Sequence, residues 1–228
     1  DLYPVDLSAS MTLDGLDAIC VIQPDVPFSA QDVYKIDQFM VKGGKSLFFM
    51  EGVRMDTVMK QGLVATPIDL GLGELFFRSG LRLNANLVKD AQLCGAIPLA
   101  VGNFGNKPSI ELMPWPAFPL MNGNPSSVIT RNLDAVYGKF VSSLDTVSGA
   151  GSLRKTALLR TSPYTQVQQA PATLPFSASG KEFDPAKYKA GPKVISYLVE
   201  GKFASVFRNR PLPADSLQKG FIEQGTKE

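Results

Sequence analysis

Residues 17–51 constrain the fold more than any other part of this sequence. An apolar run at 18–22 is followed by a polar turn, a helical pattern and a second apolar run at 47–50. This order is typical of a βαβ unit. Both runs are continuously apolar, which is typical of parallel strands that are covered on two faces. The sequence therefore predicts an α/β fold with a Rossmann-like or flavodoxin-like parallel sheet.

The helix of this unit has clear signals at both ends. Ser29 is the predicted N-cap, and Asp32, three residues later, completes a capping box. The Gly43-Gly44 pair supplies the stop at the C-terminal end. The sequence therefore predicts one well-delimited helix between the two strands.

Beyond residue 80 the pattern changes from helical to alternating. A short helix that ends at Gly80 precedes alternating apolar residues, which predict antiparallel strands with a hairpin turn at Gly105-Asn106. The three prolines within 114–119 lack backbone donors, so this stretch is predicted to be a loop. Later apolar runs at 157–159 and 194–199 are expected to rejoin the parallel sheet.

We predict a single domain over residues 1–228, with an α/β core at about 1–80 and 153–210 and an antiparallel β-rich insert at about 81–152. No run approaches the ~20 apolar residues that span a bilayer. The sequence begins at Asp1 without a start methionine or a signal-like segment, so we expect a piece of a longer protein.

Charge argues against nucleic acid as a partner. The chain has 23 lysines and arginines against 21 acidic residues, and the cations are scattered. The nearest approach to a basic cluster is Lys202, Arg208 and Arg210. We interpret it as a solvated surface segment, with contact to lipid headgroups as the alternative.

The chain contains no histidine. This excludes Ser-His-Asp and Cys-His nucleophile systems and every metal site that needs imidazole. Two isolated cysteines do not make a structural zinc site, and no glycine motif for phosphate is present. Cys20 is expected to be a buried free thiol, while its pairing with Cys94 stays open. We therefore predict no cofactor, no metal and no enzymatic activity.

Polar residues at predicted strand ends are the main site candidates. Asp25 and Glu51 follow the first two strands, and Glu200 follows a late one. Open α/β sheets bind ligands at this edge, so Gln23, Asp25 and Glu51 are candidate ligand-binding residues. A glycosidase-like pair of acids is one alternative, and surface or capping roles are the other.

Trp115 and Phe118 form a second candidate, because prolines flank both aromatic residues. A rigid proline frame presents aromatic rings to a partner at low entropic cost. Packing of the two rings onto the domain's own surface is the alternative.

Several segments resemble the GldG family of gliding-associated ABC transporter auxiliary proteins. The resemblance covers nearly the whole chain, and its clearest part is DAICVIQP at 17–24 with PFS at 27–29 and the helix at 34–39. Further matching segments lie at 43–45, 80–84, 86–88, 97–99, 101–102, 113–115, 118–120 and 198–203.

The resemblance implies a periplasmic domain of a protein held in the inner membrane by helices outside these residues. It implies a permease-like membrane subunit and, through it, a cytoplasmic ATPase as partners, in complexes tied to gliding motility or secretion in Bacteroidetes. It also implies a class I glutamine amidotransferase-like fold used for binding. The amidotransferase activity itself requires a nucleophilic cysteine and a histidine, so it should be lost here.

Three functions follow as expectations. The first is a non-catalytic periplasmic interaction domain of a GldG-like complex. The second is a solute-binding domain that captures a sugar or peptide for an ABC transporter near Gln23, Asp25 and Glu51. The third is a hydrolase, which requires two of the acids Asp25, Glu51 and Glu200 to face each other across a cleft.

Overall fold

A computed structural model describes residues 2–58, 62–105, 107–148, 151–174, 184–214 and 220–226. The first elements are β1 (Ala18–Ile22), α1 (Ala30–Val41), β2 (Lys45–Phe49), β3 (Val53–Val58), β4 (Gly62–Pro67), α2 (Gly73–Arg78), β5 (Leu81–Leu83) and β6 (Asn86–Asp90). The next are β7 (Cys94–Phe104), β8 (Lys107–Gly123), β9 (Val136–Tyr137), β10 (Leu144–Thr146) and β11 (Arg154–Arg160). The last are β12 (Thr165–Gln169), β13 (Ala172–Leu174), a 3-10 turn (Pro185–Lys187) and β14 (Val194–Glu200).

The predicted βαβ unit is present. β1 and β2 are parallel, with Ala18 opposite Lys45 and Ile22 opposite Phe49. Ser29 caps α1, and its side chain and that of Asp32 form the expected capping box. The cap, the glycines and the apolar runs therefore sufficed to predict the strands and the helix of this unit.

The predicted Rossmann-like, flavodoxin-like or amidotransferase-like parallel sheet is wrong. Strands make up 42% of the structure and helices 10%. The strands form mainly antiparallel sheets and a half-barrel. Within the described ranges, β1 and β2 are the only parallel pair. β11 and β14, expected to rejoin them, pair antiparallel with each other, and β11 also pairs with β8. A short apolar run indicates a buried strand but does not encode its direction.

The alternating pattern after residue 80 does correspond to antiparallel strands. β7 and β8 form a long hairpin in which Phe104 is opposite Lys107. Gly105 lies in the turn with φ of 61°, the left-handed region that glycine adopts at low cost. Asn106, the other predicted turn residue, lies outside the described residues.

The predicted loop at 114–119 is also wrong, because these residues belong to β8. The register between β7 and β8 jumps here: Ala96 is opposite Pro114, whereas Cys94 is opposite Pro119. Such an interruption leaves few ladder hydrogen bonds for the prolines to disturb, and proline is tolerated at bulges. The other side of the strand still accepts hydrogen bonds, from Gly138 to Pro119 and from Phe140 to Ala117.

Two apolar clusters stabilise the domain. The first lies between α1, α2 and one face of β1–β2, and its buried members include Ile36, Phe39 and Leu75. The second includes Val53 of β3 and Leu87 of β6. The described ranges include no helix with the length and apolar character needed to traverse a bilayer.

Candidate functional site

Two of the predicted strand-end residues are brought together. The side-chain Nε2 atom of Gln23 donates a hydrogen bond of 2.8 Å to Glu51 Oε1. The backbone N–H of Gln23 donates a second one, also of 2.8 Å, to the Phe49 carbonyl oxygen. Gln23 has φ of 42°, an uncommon conformation for a residue other than glycine. Parallel pairing places the carboxyl ends of β1 and β2 side by side, which explains this contact.

Asp25, the third predicted residue, lies in a separate shallow cavity of 310 Å³ beside Arg54 and Asp69. Arg54 Nη2 donates a hydrogen bond of 3.0 Å to the Asp25 carbonyl oxygen. Sequence reasoning missed Arg54, although its place between Val53 and Met55 has the period-two pattern of a strand. One arginine and two aspartates line the cavity, whose volume is at the small end of the range for ligand pockets.

Glu200 is not part of this arrangement. Its Oε2 atom accepts a hydrogen bond of 2.8 Å from Arg154 Nη2, across the antiparallel pair of β14 and β11. The hydrolase alternative depended on β14 standing beside β1 and β2, so this topology removes the reason for including Glu200.

Trp115 and Phe118 pack inside the domain. Trp115 is 7% exposed and lies in the second apolar cluster. Phe118 is half-buried against the same cluster, and its ring meets Phe140 edge to face at 4.9 Å between centroids. The packing alternative accounts for both residues, because little of the Trp115 ring is open to a partner.

The expectation that Cys20 is buried is wrong. Cys20 is an exposed free thiol on β1, whereas Cys94 is a half-buried free thiol on β7. Burial and the neighbouring negative charge of Asp90 raise the pKa of the Cys94 thiol. The thiolate is the form that reacts in alkylation, so the raised pKa and the partial burial make Cys94 less reactive than an exposed thiol such as Cys20.

The exposure of Cys20 belongs to a larger feature, which we call the outer face of β1–β2. Burial alternates along both strands, so that every second side chain is exposed. The exposed apolar side chains are Ala18, Cys20, Ile22, Leu47 and Phe49. The opposite, inner face packs on the first apolar cluster through Ile19 and Phe48. One face of this sheet is therefore apolar and open to solvent.

Two of the three cations in the basic segment near the C-terminus form ion pairs, while Lys202 is exposed. Arg210 Nη2 lies 3.1 Å from Glu74 Oε1, and Arg208 Nε lies 3.7 Å from Glu223 Oε2. These ion pairs reduce the positive charge that the segment offers to an anionic partner. In the described residues no three histidine, cysteine or acidic side chains cluster as a metal site would require.

Together these features define a mainly antiparallel β domain with one βαβ unit, an open apolar sheet face and a shallow polar cavity. A family model described as an ABC-type uncharacterized transport system matches residues 1–228. The chain therefore belongs to this family of ABC transporter auxiliary proteins. The search of curated proteins found no match, and the search of solved structures found none either.

Proposed function

We propose that this chain is a non-catalytic, periplasmic interaction domain of a GldG-like component of an ABC transport complex linked to gliding motility or secretion. Family membership supports the transport context. The resemblance to GldG over 17–24, 27–29 and the later segments supports the finer assignment. The proposed partners are a permease-like membrane subunit and, through it, a cytoplasmic ATPase.

The observation that carries the interaction role is the outer face of β1–β2. Ile22, Leu47 and Phe49 are 66%, 49% and 55% exposed on it. Full burial of such a side chain stabilises by about 1.5–3 kcal/mol, so leaving three of them together in water forgoes a substantial gain. Because these three side chains lie together on one sheet face and are not scattered singly, we take this face as the candidate interaction surface.

The test is affinity purification of the tagged full-length protein from native membranes, with bound subunits identified by mass spectrometry. We expect permease-like and ATPase subunits with the wild type, and their loss with Leu47→Glu. Leu112→Glu is the matched control, because Leu112 is an exposed leucine on β8. Absence of both subunits from the wild-type sample, or their retention by Leu47→Glu, would count against the proposal.

Solute capture is a second candidate, favoured by the cavity beside Asp25, Arg54 and Asp69. A thermal-shift screen with sugars and peptides tests it, since a ligand at 100 times its Kd stabilises by about 2.7 kcal/mol. We expect any hit to disappear in Arg54→Ala and to persist in Arg131→Ala, a change at another exposed arginine. A hit that survives Arg54→Ala would place capture elsewhere, and no hit would remove this candidate.

A further inference from the structure

We propose that the outer face of β1–β2 receives one amphipathic α-helix of a partner subunit, and that this helix runs antiparallel to the two strands. The inference rests on the proposed function, because it names the element through which the partner binds. It is drawn from the shape, the chemistry and the end charges of the face.

The inner face of the same sheet shows what kind of element fits. α1 has 12 residues and covers that face, with Ile36 and Phe39 packed near Ile19 and Phe48. Parallel strands joined by a crossover helix normally carry helices on both faces. The outer face repeats the apolar character of the inner one, so a second helix of similar length is its natural complement.

The dimensions agree with a single helix. Each strand has five residues, which gives a length of about 16 Å at about 3.3 Å per residue. A helix of about 11 residues has that length at 1.5 Å per residue. Two strands about 4.8 Å apart present a width of about 10 Å with their side chains, which is the diameter of one helix.

The charges at the two ends of the face set the direction. Lys45 is exposed at the amino end, in the same alternation as Leu47 and Phe49. Glu51 is exposed at the carboxyl end. A helix that is antiparallel to the strands places its positive N-terminal end beside Glu51 and its negative C-terminal end beside Lys45. Asp17, just before β1, is also exposed, but the period of two along a strand places it on the opposite side from Ala18.

A second copy of this chain is the less suitable occupant. The flat footprint of the face is about 160 Å² from its length and width. A standard interface between two free proteins buries about 800 Å² of accessible surface per partner, which is several times more than a footprint of this size supplies. A helix held in the same membrane complex does not need that area, because its effective concentration is in the millimolar range.

The experiment is site-specific crosslinking of the full-length protein in native membranes. A short photoactivated maleimide crosslinker is attached to one cysteine at a time, in a Cys94→Ala background. The three positions are native Cys20, Ala18→Cys with Cys20→Ala, and Ile22→Cys with Cys20→Ala. Leu112→Cys, with Cys20→Ala, is the control outside the face. Crosslinked peptides are identified by mass spectrometry after the complex is purified.

We expect all three face positions to crosslink to one peptide of a partner subunit with apolar residues at helical spacing. The link from Ile22→Cys should lie about nine residues nearer the N-terminus of that peptide than the link from Ala18→Cys. Leu112→Cys should not link to it. The reverse order, or links to peptides of a second copy of this chain, would overturn the proposal.

Two further outcomes separate this inference from the proposed function. If the transport subunits co-purify but no face position crosslinks to them, the helix proposal fails and the interaction role stands. If the subunits do not co-purify at all, the proposed function and this inference both fail.

Discussion

Asp37 of α1 is 1% exposed, and its carboxylate accepts hydrogen bonds from the Ser205 hydroxyl at 2.6 Å and the Val206 amide at 2.8 Å. Burial raises the pKa of this carboxyl above its ordinary value of 3.8, although the hydrogen bonds lower it in part. The Asp37 carboxyl therefore ionises at a higher pH in the folded chain than in the unfolded chain. Its contribution to stability is full below pH 3.8 and is lost as the pH rises through the folded pKa.

The first prediction concerns the Asp37→Asn variant, which keeps the side-chain shape but does not titrate. We expect the free energy of unfolding of the wild type, minus that of Asp37→Asn, to fall as the pH rises from about 3.5 and then level off. Urea unfolding at a series of pH values measures this difference. A difference that rises with pH would mean that the hydrogen bonds outweigh burial.

The second prediction concerns Asp90, which ties two turns together from a fully buried position. Its Oδ1 atom accepts from the amides of Gln92 and Leu93 at 2.9 Å each, and its Oδ2 atom accepts from the Ser162 amide at 2.7 Å. Asp90→Asn replaces one acceptor by a donor, so we expect a loss of about 3 kcal/mol in urea unfolding. Exposed Asp134→Asn is the control and should change stability by less than about 0.5 kcal/mol. Equal effects would contradict this role.

At the scale of elements, α1 depends on its N-terminal cap. The Ser29 hydroxyl accepts from the Asp32 amide at 3.2 Å. We expect Ser29→Ala to lower the free energy of unfolding by about 1 kcal/mol, measured by urea unfolding. Ser126→Ala, at an exposed serine in a turn, should have little effect. A neutral Ser29→Ala variant would show that packing alone holds α1.

The β7–β8 hairpin provides a fourth prediction. Residues 115–121 of β8 alternate between buried and half-buried positions, whereas most of the described residues between 98 and 112 are exposed. An isolated two-stranded ribbon is marginally stable, so amides in the distal part should exchange faster. Hydrogen exchange followed by mass spectrometry should show peptides from 99–111 exchanging before those from 115–121. Equal protection would indicate that something supports the distal ribbon.

The elements that sequence could predict are those with local signals. The βαβ unit has a cap, glycines after the helix and two apolar runs, so its parts were found. β12 has the sequence TQVQQ, which lacks an apolar alternation. It forms because it pairs with β6 and buries Thr165 completely. That pairing is a tertiary interaction, and the local sequence of β12 does not predict it.

For the whole molecule, sequence predicted that Gln23 and Glu51 would lie together, but neither the separate cavity of Asp25 nor the architecture around them. The contact between Gln23 and Glu51 follows from one parallel pair of strands. The antiparallel sheet of β7, β8, β11 and β14 depends on which strands pair, which an apolar run does not specify. The exposed outer face of β1–β2 was also not predicted, because a continuously apolar strand indicates burial on both faces.

The outer face of β1–β2 is open in the isolated chain, and we propose that a partner covers it in the assembled transport complex. The most direct measurement is the alkylation rate of Cys20 in a Cys94→Ala background, for the purified chain and for the full-length protein in native membranes. We predict a rate at least about tenfold slower in membranes, since the dissociated fraction alone reacts, and recovery of the fast rate in Leu47→Glu. Equal rates in both preparations would contradict the claim.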